Sequence, residues 1–256
     1  MAILNVTPDS FSDGGLHADP VSAGFAMAAA GADIIDVGGE STRPGASLVP
    51  PEEEQRRVLP VVSALARAGL RVSVDTRNAG TMEAALDAGA AIINDVSAMQ
   101  HDPRTASVLA QSTCTVILMH MRGTPQTMMR LAAYGDVAGE VRAELAQRVA
   151  HAEAAGIARA RLVLDPGLGF AKTADQSLEL LGRLPELGAL GLPLLVGASR
   201  KAFVGVAGGE PEASRRVPGS IAAALFAAAQ GAAILRVHDV SETRQALSVW
   251  QKLVLF

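Results

Sequence analysis

The chain predicts a parallel β/α barrel, and three observations carry that prediction. Eight apolar runs of β character each lead to a conspicuous polar residue. Segments of helical character separate the runs in strict alternation, and the 256 residues match the roughly 250 of a single (β/α)8 TIM barrel. Such alternation makes a parallel sheet, and the carboxyl ends of a closed parallel sheet are where a barrel gathers side chains into a pocket. No linker or low-complexity segment interrupts the pattern, so residues 1–256 read as one domain.

Each predicted strand has its own polar end. Residues 2–4 lead to Asn5, 34–35 to Asp36, 72–74 to Asp75, and 92–93 to Asn94. Residues 116–119 lead to His120, 162–164 to Asp165, 194–196 to Ser199-Arg200-Lys201, and 234–235 to Arg236-Val237-His238. The predicted helices cover 20–30, 52–68, 79–88, 105–111, 137–155, 174–187, 214–230 and 241–253. Three strands are entered through a common phrase, Gly31-Ala32-Asp33, Gly89-Ala90-Ala91 and Gly231-Ala232-Ala233. In each the glycine can end a helix and the alanine lets the chain turn tightly into the strand. The spacing of the phrase is too irregular for a solenoid. A doubly wound sheet would place a G-x-G-x-x-G turn after its first strand, whereas this chain has a long polar loop there, from Asn5 to Gly15.

Composition narrows the function classes. Hydrophobic residues make up 49% of the chain and aromatics only 3%, so Ala, Val, Leu and Ile must fill the core, as in strands buried on both faces. A net charge of -4 argues against a nucleic-acid surface, and any bound anion must be held by a few placed donors. The single cysteine, Cys114, excludes an intramolecular disulfide and reads as a small core residue. The apolar start is broken at Asn5 and followed by Pro8-Asp9-Ser10, unlike a signal peptide, and the longest apolar run, 221–229, is too short for a bilayer. The expectation is a soluble, cytoplasmic protein with small-molecule partners, no nucleic acid and no membrane.

Four constellations can carry chemistry. The loop from Asn5 to Gly15 is polar, is punctuated by Pro8 and Gly14-Gly15, and carries Phe11, an aromatic for which the sequence offers no obvious core partner. Alone it reads as a surface loop, but at the carboxyl end of a barrel strand its length suits a lid over a ligand. Gly38-Gly39-Glu40-Ser41-Thr42-Arg43-Pro44-Gly45 surrounds an arginine with small residues and donors, a composition that closes over anions or simply forms a solvated turn. Asp75, Asn94 and Asp165, with Asp36 nearby, could each cap a helix; together they can pair with the edge of a flat amide-containing heterocycle. Lys201 after Ser199-Arg200, and Arg236 with His238, place cations at the last two strands, where barrels often bind phosphate.

Other motifs fail on inspection. Residues 166–173 resemble a P-loop, but Pro166 and Ala171 stand at its two glycine positions. The histidines at 17, 101, 120, 151 and 238 show no zinc-site spacing, and no G-x-S-x-G elbow occurs.

These motifs, in this order, resemble the dihydropteroate synthase family along nearly the whole chain. The resemblance rests on residues 3–15, Gly39-Glu40-Ser41-Thr42-Arg43-Pro44-Gly45, Ser73-Val74-Asp75-Thr76 and Ile93-Asn94-Asp95-Val96-Ser97. It continues through Met119-His120-Met121, Asp165-Pro166-Gly167-Leu168-Gly169-Phe170, Ser199-Arg200-Lys201 and Arg236-Val237-His238-Asp239-Val240. It implies condensation of (7,8-dihydropterin-6-yl)methyl diphosphate with 4-aminobenzoate, giving 7,8-dihydropteroate and diphosphate.

The resemblance also implies roles. Asp75, Asn94, Asp165 and Lys201 hold the pterin, Arg236 stacks on its face, and Met119 and Phe170 form apolar walls. Asn5 helps hold Mg2+ on the diphosphate, while Thr42, Arg236 and His238 bind the anion. The loops carrying Phe11 and Arg43-Pro44 form the aminobenzoate slot, with Ser199 at its rim. Among these, Asp75, Asp165, Lys201, Arg236 and His238 are the expected catalytic residues. The family is usually a homodimer, which suits a chain with Ala-rich outer helices. Asp36 and His120 receive no role.

The chain departs from the family at its start. The first strand begins at Ala2, where a glycine is usual, without the residues that commonly precede it, so barrel-floor packing is the expected difference. Two alternatives are a pterin-binding methyltransferase of the same barrel, and a pterin-binding paralogue without catalysis. The first lacks a use for Ser199-Arg200-Lys201 and Thr42-Arg43-Pro44, and the second for an intact Asn5, Arg43, Lys201 and His238.

Overall fold

Strands of two to five residues, rich in Val, Ile and Leu, alternate with helices throughout the computed structural model, which describes residues 1–7, 19–40 and 49–254. The first half runs β1 (Ala2–Asn5), α1 (Pro20–Ala29), β2 (Ile35–Gly38), α2 (Pro51–Arg67), β3 (Val72–Asp75), α3 (Ala79–Asp87), β4 (Ile92–Asp95) and α4 (Thr105–Gln111). The second half runs β5 (Thr115–Met119), α5 (Val137–Ala154), β6 (Leu162–Asp165), α6 (Ala174–Gly182), α7 (Leu184–Gly188), β7 (Leu195–Val196), α8 (Ala202–Gly208), α9 (Val217–Ala229), β8 (Ile234–Leu235) and α10 (Val240–Leu253).

The strands close into a ring in chain order. β1 to β6 pair successively and in parallel, as do β7 and β8. Parallel bridges close the two remaining gaps, Leu164 to Leu194 and Ala2 to Val237. Backbone hydrogen bonds accompany them: Leu164 N donates to Pro193 O at 2.9 Å, and Ile3 N to Val237 O at 3.0 Å. The predicted (β/α)8 TIM barrel is therefore the observed fold.

Period-two alternation sorts each strand into two faces. Ala2, Leu4, Ile35, Val37, Val72, Val74, Val116, Leu118, Leu162 and Leu164 belong to the large core cluster that also takes in helical residues such as Val58, Leu65, Met82 and Leu145. A separate cluster of Met1, Ile34, Ile92, Ile117, Val163 and Leu195, with Ile234 against it, forms an apolar layer inside the barrel. That layer is the barrel floor, and Met1 packs within it. The Met1 amino group donates to Leu235 O at 3.0 Å.

Helix boundaries follow local chemistry. Asp19 caps α1, with Pro20 in its first turn, and Asp136 caps α5. Thr173 and Gln176 form a reciprocal capping box on α6. The predicted helix over 174–187 is in fact two, because Pro185 lies in the first turn of α7 and has no N–H to continue the hydrogen-bond ladder of α6. The helix expected from 214 starts at Val217, after a 3₁₀ turn at Ala213–Arg215. α8 was not expected: its seven residues show no amphipathic period, and it ends at Gly209, whose φ of +67° suits glycine. Cys114 is buried, as a core cysteine should be.

Candidate active site

Four inward-facing columns that begin in the apolar floor carry a polar or sulfur-bearing side chain two residues further on. Ile92 is followed by Asn94, Ile117 by Met119, Val163 by Asp165 and Ile234 by Arg236. Strand register sets the tops of neighbouring columns level: Asn5 pairs with Gly38, Gly38 with Asp75, Asp75 with Asn94, and Met119 with Asp165. At Gly38, a Cβ would lie 3.6 Å from both Asn5 Oδ1 and Asp75 Cβ, so its absence keeps space between those side chains.

Asp36 organises this layer from below. It is fully buried on β2 and its Oδ2 accepts from Arg236 Nε at 2.6 Å and from Asn94 Nδ2 at 3.1 Å. Arg236 also donates from Nη2 to Asp75 Oδ2 at 2.8 Å. One arginine thus joins two acids across the barrel, and the same buried acid orients the amide of Asn94. The opposite oxygen, Asp36 Oδ1, is buried and has no protein partner among the described residues. Burial pushes the Asp75 carboxyl up to about 7, against the pull of Arg236. Burial also works against the Arg236 charge, but Asp36 and Asp75 outweigh it and hold its pKa above the ordinary value. An acid so raised releases its proton near neutrality and gains most when a donor arrives to meet it.

Asp165 sits at the head of a tightly wound loop. Its Oδ1 accepts from Gly167 N at 2.7 Å, and burial raises its pKa while Lys201 opposes the rise. Gly167 has φ of +65°, and a Cβ there would lie 1.9 Å from the His120 carbonyl oxygen, so only glycine fits between β5 and this loop. Lys201 Nζ donates to Leu168 O and lies 4.8 Å from the Phe170 ring centroid. Burial lowers its ammonium to about 8, with Asp165 pulling the other way. Lys201 and Phe170, separated by 31 positions, therefore meet on one side of the pocket, with buried Met119 beside Asp165 in register.

His238 and Ser199 form a second group at the last two strands. Ser199 is buried, and its Oγ accepts from His238 N at 3.1 Å and meets His238 Nδ1 at 3.0 Å. Arg200, with φ of +58°, forms an ion pair with Asp239, and its backbone N–H donates to Ser220 Oγ at 2.8 Å. These bonds fix the turn that presents Ser199 and Lys201. On the other side, Glu40 pairs with Arg77 at 3.0 Å, both largely buried, and its Oε1 also accepts from Val49 N at 3.1 Å. Phe11, Thr42, Arg43 and Pro44 lie outside the described residues.

Asn5 is half-buried at the end of β1. No cluster of three or more His, Cys, Asp or Glu able to hold a metal occurs among the described residues. A neutral oxygen donor suits Mg2+ that keeps waters and takes its other ligands from a substrate phosphate, so Asn5 fits that use.

Two residues without a role in the sequence now have one. Asp36 ties Arg236 to Asn94. His120 is buried and bonded through Nε2 to Glu144 Oε2 at 3.0 Å and through Nδ1 to Lys172 Nζ at 2.9 Å. Lys172 and Glu144 were not singled out from the sequence as site residues.

Comparison with known proteins follows the same lines. A model of the family described as "Pterin binding enzyme" matches residues 1–238. The chain is 48% identical to a dihydropteroate synthase of Neisseria meningitidis serogroup B, over 99% of this chain and 92% of that one. A Xanthomonas albilineans dihydropteroate synthase solved with 4-aminobenzoic acid superposes with a TM-score of 0.93 at 48% identity, covering 100% of this chain and 93% of that one. A structure of the enzyme from the same organism in complex with 7,8-dihydropteroate gives 0.90 at 45%, again over 100% and 93%.

Proposed function

The chain belongs to the pterin-binding enzyme family, among the dihydropteroate synthases, and from that premise we propose how its side chains divide the reaction. It is a transferase of folate biosynthesis that joins (7,8-dihydropterin-6-yl)methyl diphosphate to 4-aminobenzoate. The C–O bond between the pterin methylene and diphosphate breaks, the arylamine nitrogen forms the new C–N bond, and that nitrogen gives up a proton. The arylamine is the nucleophile, so no covalent nucleophile is asked of the protein.

In our reading Asp75, Asn94 and Asp165 receive the hydrogen-bonding edge of the pterin, Lys201 donates beside Phe170, and Met119 closes an apolar side. Arg236 lies against the pterin face and toward the diphosphate. The observation that carries this reading is the cross-barrel bridge from Asp36 through Arg236 to Asp75. A cation held between two acids is preorganised, as is the acid that faces the substrate, so neither has to reorganise as charge moves. When diphosphate leaves, positive charge spreads from the methylene into the pterin ring. Asp75 and Asp165 are placed to stabilise it.

The leaving anion falls to Arg236, Thr42 and His238, with Ser199 holding the imidazole of His238. Asn5 is the residue that would hold Mg2+, which when bound neutralises charge on the departing diphosphate. Phe11, Arg43, Pro44 and the rim at Ser199 complete the proposed 4-aminobenzoate slot. Asp75, Asp165, Lys201, Arg236 and His238 remain the proposed catalytic set.

We assign the enzyme to a homodimer in the cytoplasm. Exposed Val206 on α8, Phe226 on α9, and Val249 and Leu253 on the neighbouring α10 supply apolar area that a second copy can cover. A single buried cysteine with no intramolecular partner is compatible with a reducing compartment, and no helix among the described residues is long and apolar enough to cross a membrane. The proposed substrates are the pterin diphosphate and 4-aminobenzoate, with neither nucleic acid nor membrane as a partner. Diphosphate release from the pterin substrate, followed with and without 4-aminobenzoate and magnesium, tests the reading. Release that needs both supports it, and no release under any condition overturns it.

A further inference from the structure

Lys172 is a buried lysine for which the reaction described above has no use. Its side chain is among the largest fully buried ones, only 2% of the residue being exposed. Nζ donates to the carbonyl oxygens of Gly167 at 3.1 Å and Phe170 at 3.0 Å, and meets His120 Nδ1 at 2.9 Å. These three partners match the three donors of an ammonium. The far nitrogen of His120 faces Glu144, whose carboxyl is held down to about 2 by that imidazole and by Arg122. An ionised Glu144 calls for a proton on Nε2, which leaves Nδ1 as the acceptor for Lys172.

The two carbonyls that Lys172 grips belong to the loop carrying the pterin-side groups. Gly167 N holds Asp165, while the Phe170 ring stands against Lys201. Lys201 takes the intervening carbonyl, Leu168 O, from the pocket side. The loop is thus pinned by one lysine in front and another behind. Ala171 is held at φ of +48°, a strained value for a residue with a Cβ, so the loop depends on such external bonds to keep its shape. Charged and titratable groups around Lys172 are His120 on β5, Glu144 on α5, Arg122 after β5, Asp165 on β6 and Lys201 after β7, with the Tyr134 ring 6.0 Å away.

We propose that Lys172 is a positioning residue for the pterin half of the reaction, holding Asp165 and Phe170 in place through the loop carbonyls and anchoring that loop to α5 through His120 and Glu144. The proposal rests on the reading of Asp165 and Phe170 as pterin contacts. A lysine that merely filled space would affect both substrates alike, whereas this one acts on a single substrate.

The test is steady-state kinetics with each substrate varied in turn, on Lys172→Met, His120→Ala and Asp165→Asn. Lys172→Met keeps most of the apolar stem and is expected to raise the KM for the pterin diphosphate about tenfold, roughly 1.4 kcal/mol. The KM for 4-aminobenzoate should stay within about twofold. His120→Ala removes one of the three bonds and should raise the pterin KM about threefold, again selectively. If Lys172→Met does not fold by circular dichroism, His120→Ala decides. Folded variants with no change, or with equal changes in both KM values, overturn the proposal. Asp165→Asn separates the two claims: if it impairs pterin use and the other variants do not, only the role of Lys172 falls. If it leaves pterin use intact, the reading of the site falls with it.

Discussion

The floor and the mouth of this barrel share inward columns, one alternation apart, and they differ in polarity and charge. Ile92, Ile117, Val163 and Leu195 at the floor are apolar and buried. Asn94, Met119 and Asp165 stand directly above three of them, and Asp75 and Arg236 complete the upper layer with partly buried charge. Burying apolar groups stabilises the chain, whereas burying acids costs free energy unless a partner returns it. Parity decides that a strand residue points inward, and its height along the column decides which layer it joins, so a barrel can gather charge at one end without weakening the other.

Breaking the floor should cost stability and spare chemistry. Ile117→Ala is expected to lower the unfolding free energy by about 2–5 kcal/mol, through lost burial and the cavity left behind. Denaturant titration measures that loss. The KM values of the folded fraction should be those of the parent, and a changed pterin KM would show that the two layers are not separable.

Titrating the mouth should sharpen the contrast with a smaller effect. Pterin binding needs Asp75 as a carboxylate and Lys201 as an ammonium, with values of about 7 and about 8. The kcat/KM for the pterin substrate should therefore fall below about pH 7 as Asp75 takes up its proton. It should fall again above about pH 8 as Lys201 loses its own, about tenfold per pH unit beyond each limb. Thermal stability carries the opposite sign on the acid side: an acid raised in the folded state favours folding below its unfolded value of 3.8, and that contribution is lost as pH rises through 7. A flat activity profile between pH 6 and 9 would remove Asp75 and Lys201 from pterin binding.

The mouth was more legible in the sequence than the groups that support it. Each strand end alone could cap the next helix, but eight continuous apolar runs that each lead to a polar residue in an alternating chain point together to a barrel mouth. The task of Asp36 was not legible, since its partner Arg236 lies 200 positions away and only ring closure brings them together. Lys172 was hidden differently. Its neighbours invited comparison with a P-loop, and that comparison failed without revealing that the lysine folds back under its own loop. α8 escaped because seven residues of apolar and small side chains carry no period. Long-range pairing and burial are the common cause, and neither is written in local spacing.

The central claim is that the acids at the strand ends serve the charge that develops on the pterin, while Arg236 and His238 serve the leaving diphosphate. Asp75→Asn keeps the shape of the side chain and removes its charge, so it tests that division directly when turnover and the Kd for inorganic diphosphate are measured on the same protein. The account predicts that kcat falls about 10²–10³-fold while the diphosphate Kd stays within about twofold. Equal losses in both would contradict it.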